Sequence, residues 1–114
     1  MVIHRLMQAK RDLVHLAASL GVELELDMRV NESWYLVAIK RTGGNPGAGA
    51  VVLRALHALA DENCARIGLR AGDPWQPGNI KKLIRYYEQF DYVVQRGNDM
   101  IRSPRSAWPK ETQQ

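Results

Sequence analysis

At 114 residues the chain has the size of one domain with a single modest core. Its 46% hydrophobic and 25% charged residues match a folded globular domain and exclude intrinsic disorder. The net charge of +4 suits an anionic partner, but the basic residues are scattered. Lys81, Lys82 and Arg85 share a helix with Glu88, and no recognition motif accompanies them, so nucleic acid is disfavoured. No apolar run reaches the roughly 18 residues that cross a bilayer. The opening Met1-Val2-Ile3-His4-Arg5-Leu6 is amphipathic and has neither the apolar stretch nor the small-residue cleavage site of a secretory signal. A cytoplasmic protein is the expectation.

Residues 3 to 20 carry a helical period. Ile3, Leu6, Leu13, Leu16, Ala17 and Leu20 fall on one side, and Arg5, Asp12, His15 and Ser19 on the other. Gly21 follows as a C-cap signal. The period then changes to two: Val22, Leu24, Leu26, Met28 and Val30 point one way, and Glu23, Glu25, Asp27 and Arg29 the other. That pattern predicts a strand with one buried and one wet face. Asn31-Glu32-Ser33 turns the chain into Trp34-Tyr35-Leu36-Val37-Ala38-Ile39, a strand apolar on both sides and therefore expected in the middle of the sheet, paired antiparallel with the first.

Residues 42 to 49 form a loop with four glycines, and helical spacing returns from 50 to 63. Val52, Leu56 and Leu59 fall inside this helix and Arg54, His57 and Asp61 outside, so His57 reads as a surface residue. Cys64 is the only cysteine, which forbids an intramolecular disulfide. Among small residues at a helix end, it reads as a packed thiol in preference to a nucleophile. Residues 66 to 71 form a further strand and 72 to 78 a loop. Asn79 is a credible N-cap for a helix from 80 to about 90, with Ile80, Leu83, Ile84 and Tyr87 on its apolar face. Tyr92-Val93-Val94-Gln95-Arg96 and Met100-Ile101-Arg102 flank Gly97-Asn98-Asp99 as a hairpin. The domain then covers 1–104, and 105–114 is a polar, flexible tail. The order α-β-β-α-β-α-β-β is that of an α/β (α+β) domain, a mixed sheet with helices packed on it.

The glycine loop is the segment that suggests chemistry. A strand that ends in glycines and enters a helix presents backbone N–H groups to an anion, and the helix dipole favours negative charge there. Glycines let the phosphates approach and permit positive φ. Gly47-Ala48-Gly49-Ala50 fits that role, although tight connections of this kind also occur without a ligand. It is not a Walker A loop, because no Lys-Ser or Lys-Thr follows, and Val52 stands where G-x-G-x-x-G needs its third glycine.

The run from 34 to 102 resembles the GNAT N-acetyltransferase superfamily over roughly two-thirds of the chain. Gly44-Asn45-Pro46-Gly47-Ala48-Gly49 lies in the register of the family's Arg/Gln-x-x-Gly-x-Gly/Ala loop, followed by Val51-Val52-Leu53-Arg54-Ala55-Leu56 as its phosphate-binding helix. Leu83-Ile84-Arg85-Tyr86-Tyr87-Glu88-Gln89-Phe90-Asp91-Tyr92 is similar to the family's late Leu-Ile-x-Phe-Tyr-Glu-x-Phe-Gly-Phe signature, and Met100-Ile101-Arg102-Ser103-Pro104 to a frequent family ending. Two departures stand out at these positions. Gly44 replaces the usual Arg or Gln, with Lys40 or Arg41 as possible substitutes, and Asp91 replaces a glycine. One helix and one strand precede the central strand, where the family usually has a further strand and two helices that build the acceptor pocket. In this the chain is similar to compact phage or mobile-element members.

The resemblance implies a GNAT-like fold and transfer of an acetyl group from acetyl-CoA, as cosubstrate, to an amine by direct attack. The acceptor would be a protein lysine, an N-terminus or a small amine. Ile39 would hold the thioester and pantetheine arm through its backbone. Arg41, Gly44, Asn45, Gly47, Ala48, Gly49, Ala50 and Asn79 would contact the cofactor, although Asn79 serves equally as a cap. Tyr87 matches the family's tyrosine that protonates the departing thiolate; by periodicity alone it is a core aromatic. Glu25 is the middle acid on the wet strand and the candidate base, while alternating acids there are also simply solvating. The alternative is a non-catalytic module of the same fold that binds a host or partner protein, with or without CoA. No spacing suggests a metal site. Either a monomer or a homodimer paired at an exposed sheet edge is compatible with the pattern.

Overall fold

The computed structural model describes residues 2–28, 33–43, 45–72 and 79–105. Arg29, Val30, the turn at 31–32, Gly44, the loop 73–78 and the tail 106–114 lie outside the described residues. Among the described residues eight elements follow in the expected order: α1 (Val2–Ser19), β1 (Val22–Met28), β2 (Ser33–Arg41), α2 (Ala48–Glu62), β3 (Arg66–Arg70), α3 (Ile80–Glu88), β4 (Val93–Arg96) and β5 (Asp99–Arg102). Among the described residues no helix is long and apolar enough to cross a membrane.

The strands form one mixed sheet in the order β1-β2-β3-β5-β4. β1 and β2 make the expected antiparallel hairpin, and β5 is antiparallel to both β3 and β4. β2 and β3 are parallel, which a tight turn cannot achieve; α2 is the crossover between them. β2 is internal, as its two apolar sides require.

The core lies on one face of this sheet. Val22, Leu24, Leu26, Trp34, Leu36, Ile67, Leu69 and Met100 are buried there against Leu13 and Ala17 of α1, Val52, Leu53 and Leu56 of α2, and Tyr87 of α3. Each large side chain so buried contributes about 1.5–3 kcal/mol. The alternate side chains of the strands, among them Glu23, Glu25, Tyr35 and Ile101, are exposed or half-buried, so among the described residues there are two layers and one uncovered sheet face. Leu16, expected inside, is 41% exposed. At about 100° per residue it falls beside the line through Leu13 and Ala17, not under it.

Both later helices end in the same way. At the end of α2, Ala65 N–H bonds Ala60 C=O and Cys64 N–H bonds Asp61 C=O, with Cys64 at φ 52. After α3, Tyr92 N–H bonds Tyr87 C=O and Asp91 N–H bonds Glu88 C=O, with Asp91 at φ 75. These are Schellman closures in which Cys and Asp occupy the left-handed position usually held by glycine. Cys64 is consequently exposed, and the expectation of a packed thiol fails. Residue 105, placed in the tail by its polarity, is held instead: Arg105 N–H donates to Asp61, and its guanidinium pairs with Asp91.

A bulge sets the second half of β2. Glu25 pairs with Ala38 but Leu26 with Leu36, leaving Val37 without a partner. The skipped residue shifts the pleat, so that Leu36 and Ile39 face the core together, opposite Leu26 and Leu24.

Candidate functional site

β2 and β3 pair from Ser33 and Arg66 to Leu36 and Leu69, and no further. Beyond the bulge, β2 continues to Arg41 with only β1 as a strand neighbour among the described residues. The two parallel strands therefore diverge, and the gap is a cleft of about 250 Å³ whose lining includes Val37, Ala38, Ile39, Gly72, Leu83 and Tyr87. Backbone N–H and C=O groups on the β3 side of this stretch are available to a chain-like ligand that can pair as a strand would. The volume lies below the ~300–1,000 Å³ of ordinary small-molecule pockets. It suits a thin extended group better than a bulky one. Gly72 closes the far wall: it has φ +94, and a Cβ there would come within 2.6 Å of Ile80 Cγ1.

Tyr87 sits on the inward face of α3, only 9% exposed. Its ring meets Tyr86 edge-on at 5.3 Å and Tyr92 at 5.5 Å between centroids. Burial, with Tyr86 beside it, pushes its hydroxyl up to about 12. Tyr92 in turn packs on His57 of α2 at 5.4 Å, and His57 Nε2 lies 3.0 Å from the Tyr92 hydroxyl oxygen. His57 is 6% exposed, which corrects its sequence assignment to the outer face. The helix wheel placed it outside, but the α3–β4 turn wraps over that side of α2 and covers it. Desolvation, followed by the charge of Arg102, lowers its pKa to about 4, so it is a neutral prop under the tyrosine pair.

Asp61, also assigned to the outside, is part of the same support. Arg102, 4% exposed, donates to both Asp61 carboxylate oxygens at 2.9 and 3.2 Å and to Phe90 C=O at 3.1 Å. Burial raises the Asp61 pKa, but the bonds from Arg102 and from Arg105 N–H outweigh it and hold the carboxyl below its usual range.

The glycine loop leads directly into α2. Gly47, left-handed at φ 96, is the N-cap of α2, which begins at Ala48 and not at residue 50. Ala48 N–H is already bonded to Asn45 C=O, and Val51 N–H to Gly47 C=O. Gly49 and Ala50 thus carry the N–H groups of the first turn that lack a backbone acceptor among the described residues. Asn45, Gly47 and Ala48 line a separate, wider hollow of about 700 Å³ together with Ser19 and Gly21 at the end of α1.

The remaining candidates are dispersed. Glu25 is exposed on the uncovered face opposite Ala38, one strand from the cleft, a spacing of about 4.8 Å. Arg41 is the exposed last residue of β2. Asn79 precedes α3 but makes no side-chain cap hydrogen bond, because its backbone is already right-handed helical at φ −94. Gly44 lies outside the described residues. Of the named residues, the cleft brings together Ile39 and Tyr87. Val37, Gly72 and Leu83 were not assigned to a site from sequence; only the glycine at the end of a strand offered a signal. Comparison with protein-family models, with curated proteins and with solved structures gives no match.

Proposed function

We propose that this chain is a compact GNAT-like acyltransferase that moves an acetyl group from acetyl-CoA to an amine. The observation that carries the reading is the divergence of parallel β2 and β3 directly ahead of a glycine-capped helix. The pantetheine arm would run along Val37–Ile39 as a partial strand, with the pyrophosphate at the N–H groups of Gly49 and Ala50. The amine attacks the thioester carbon, the C–N bond forms, and the C–S bond breaks to release a thiolate. Tyr87 returns a proton to that thiolate, while the amine proton leaves to Glu25, through water given its place one strand away. A tyrosine near 12 keeps its proton at any physiological pH. It is also a weak acid against a thiol of about 8.5, so the transfer is uphill until the ligand changes the cleft.

That weakness, and the distance of Glu25 from the cleft, favour the second reading: a module that binds CoA or a partner protein without turnover. One titration separates the possibilities. Acetyl-CoA is expected to shift the amides of residues 37 to 51 in an NMR spectrum, and Gly49→Glu to abolish the shifts by placing bulk and negative charge at the helix N-terminus. An unchanged spectrum at millimolar acetyl-CoA rejects the cofactor. Where binding holds, Tyr87→Phe is expected to lower kcat by about 10²-fold or more with little change in affinity. Binding with no turnover of any amine in the unaltered protein leaves the module.

A further inference from the structure

The uncovered sheet face has a pattern of its own. Its middle rung crosses all five strands in register: Asp27, Tyr35, Gly68, Ile101 and Val93. Val93 is 59% exposed, the largest exposure among the big apolar side chains. Over Gly68, where a sheet interior has no side chain, lies a hollow of about 410 Å³ flanked by Tyr35, Arg70, Gln95, Asp99 and Ile101. The two edges of the face carry opposite charge, and β3 between them carries exposed Arg66 and Arg70. The β1 edge carries Glu23 and Glu25, while exposed Arg96 stands on β4 at the opposite edge.

We propose that this face is the contact surface for a second copy of the chain, stacked sheet on sheet about a two-fold axis that runs along the strands above Gly68. β3 is the central strand of five, so this axis lays β1 of each copy over β4 of the other, and β2 over β5. Tyr35 of one copy then stands over the Ile101 and Gly68 hollow of the other, in both directions, as an isologous contact requires. The axis keeps height along the strands. Glu25, one pair of residues above the rung, therefore meets Arg96 of the second copy, which lies at the same level through its pairing with Asp99. Arg70, near the axis, is already neutralised by Asp99 at 3.1 Å. The other in-plane axis, across the strands at the level of Gly68, would set β1 over β1 and lay Asp27 against Asp27 of the second copy, so charge selects the first. Sheets stacked in this way lie about 10 Å apart with strands within about 30° of alignment, close enough to bury the rung. Nothing in this arrangement depends on acetyl-CoA.

Analytical ultracentrifugation from micromolar to several hundred micromolar protein tests it. A dimer is expected for the unaltered chain, and a monomer for Val93→Glu, whose exposed position lets the variant keep its circular dichroism. Arg96→Glu is expected to weaken the dimer at least tenfold, and adding Glu25→Lys to restore it. A chain that stays monomeric throughout overturns the proposal, as does a dimer indifferent to Val93→Glu. Failure of the double exchange to restore association rejects this axis and with it the proposal. A monomeric protein in which Val93→Glu abolishes amine acetylation would assign the face to the acceptor instead.

Discussion

His57 is kept neutral by its burial, and that gives stability a pH signature. Its imidazole titrates near 6.5 when free and at about 4 in the fold. Between those values the unfolded chain binds a proton that the folded chain refuses, so stability is full above 6.5 and falls as pH drops toward 4. The loss over that window is expected to be about 3 kcal/mol. Urea unfolding at a series of pH values checks it, and His57→Gln should flatten the slope. Gly72 offers a second test. Alanine there must adopt φ +94 and meet Ile80 Cγ1 at 2.6 Å, whereas alanine at Gly43 meets nothing within 4 Å. Gly72→Ala is expected to cost about 2–4 kcal/mol, and Gly43→Ala close to nothing, in the same urea measurement. At this scale the sequence was only partly legible. Tyr87 was placed on the apolar face of α3 by its period and Gly47 before a helix by its glycine loop, but His57 and Asp61 were assigned to solvent. Helical periodicity reports which side of α2 meets the sheet; it carries no information about a later turn folding over the other side.

Elements were easier to read than the joints between them. Alternation located β1 and the 3.6-residue period located α1, α2 and α3, since each side chain pattern follows from a single backbone geometry. The bulge at Val37 was not visible, because a run apolar on both faces looks the same with or without a skipped residue. The helix ends at Cys64 and Asp91 were obscure for a related reason: left-handed residues are usually glycine, and these are not. What fastens the last hairpin to α2 is also a joint, the Arg102 bonds to Asp61 and Phe90. Arg102→Met leaves Asp61 without its guanidinium partner, and the expected loss is about 3 kcal/mol. Hydrogen exchange in that variant should rise first in β4 and β5. A double variant with Asp61→Asn should cost less than the two single changes added, since they remove one interaction.

At the scale of the molecule, the mixed sheet with helices packed on it was legible from element order, while the strand order β1-β2-β3-β5-β4 and the single covered face were not. Sequence patterning says that a strand is half-buried, and says nothing of which neighbour it takes. The gap between β2 and β3 exists only because two strands far apart in sequence lie side by side and stop pairing after four residues. No single-strand pattern encodes it. The position of β5 has a consequence in time as well as in space. As the chain emerges during synthesis, β3 is complete about thirty residues before β5 fills the place beside it. Through that interval Ile67 and Leu69 lie on a strand with an open edge, a template for any passing extended segment. A nascent chain halted before Asp99 is thus the form of this protein most in need of a chaperone, and hairpin closure by β5 is the step that ends its exposure.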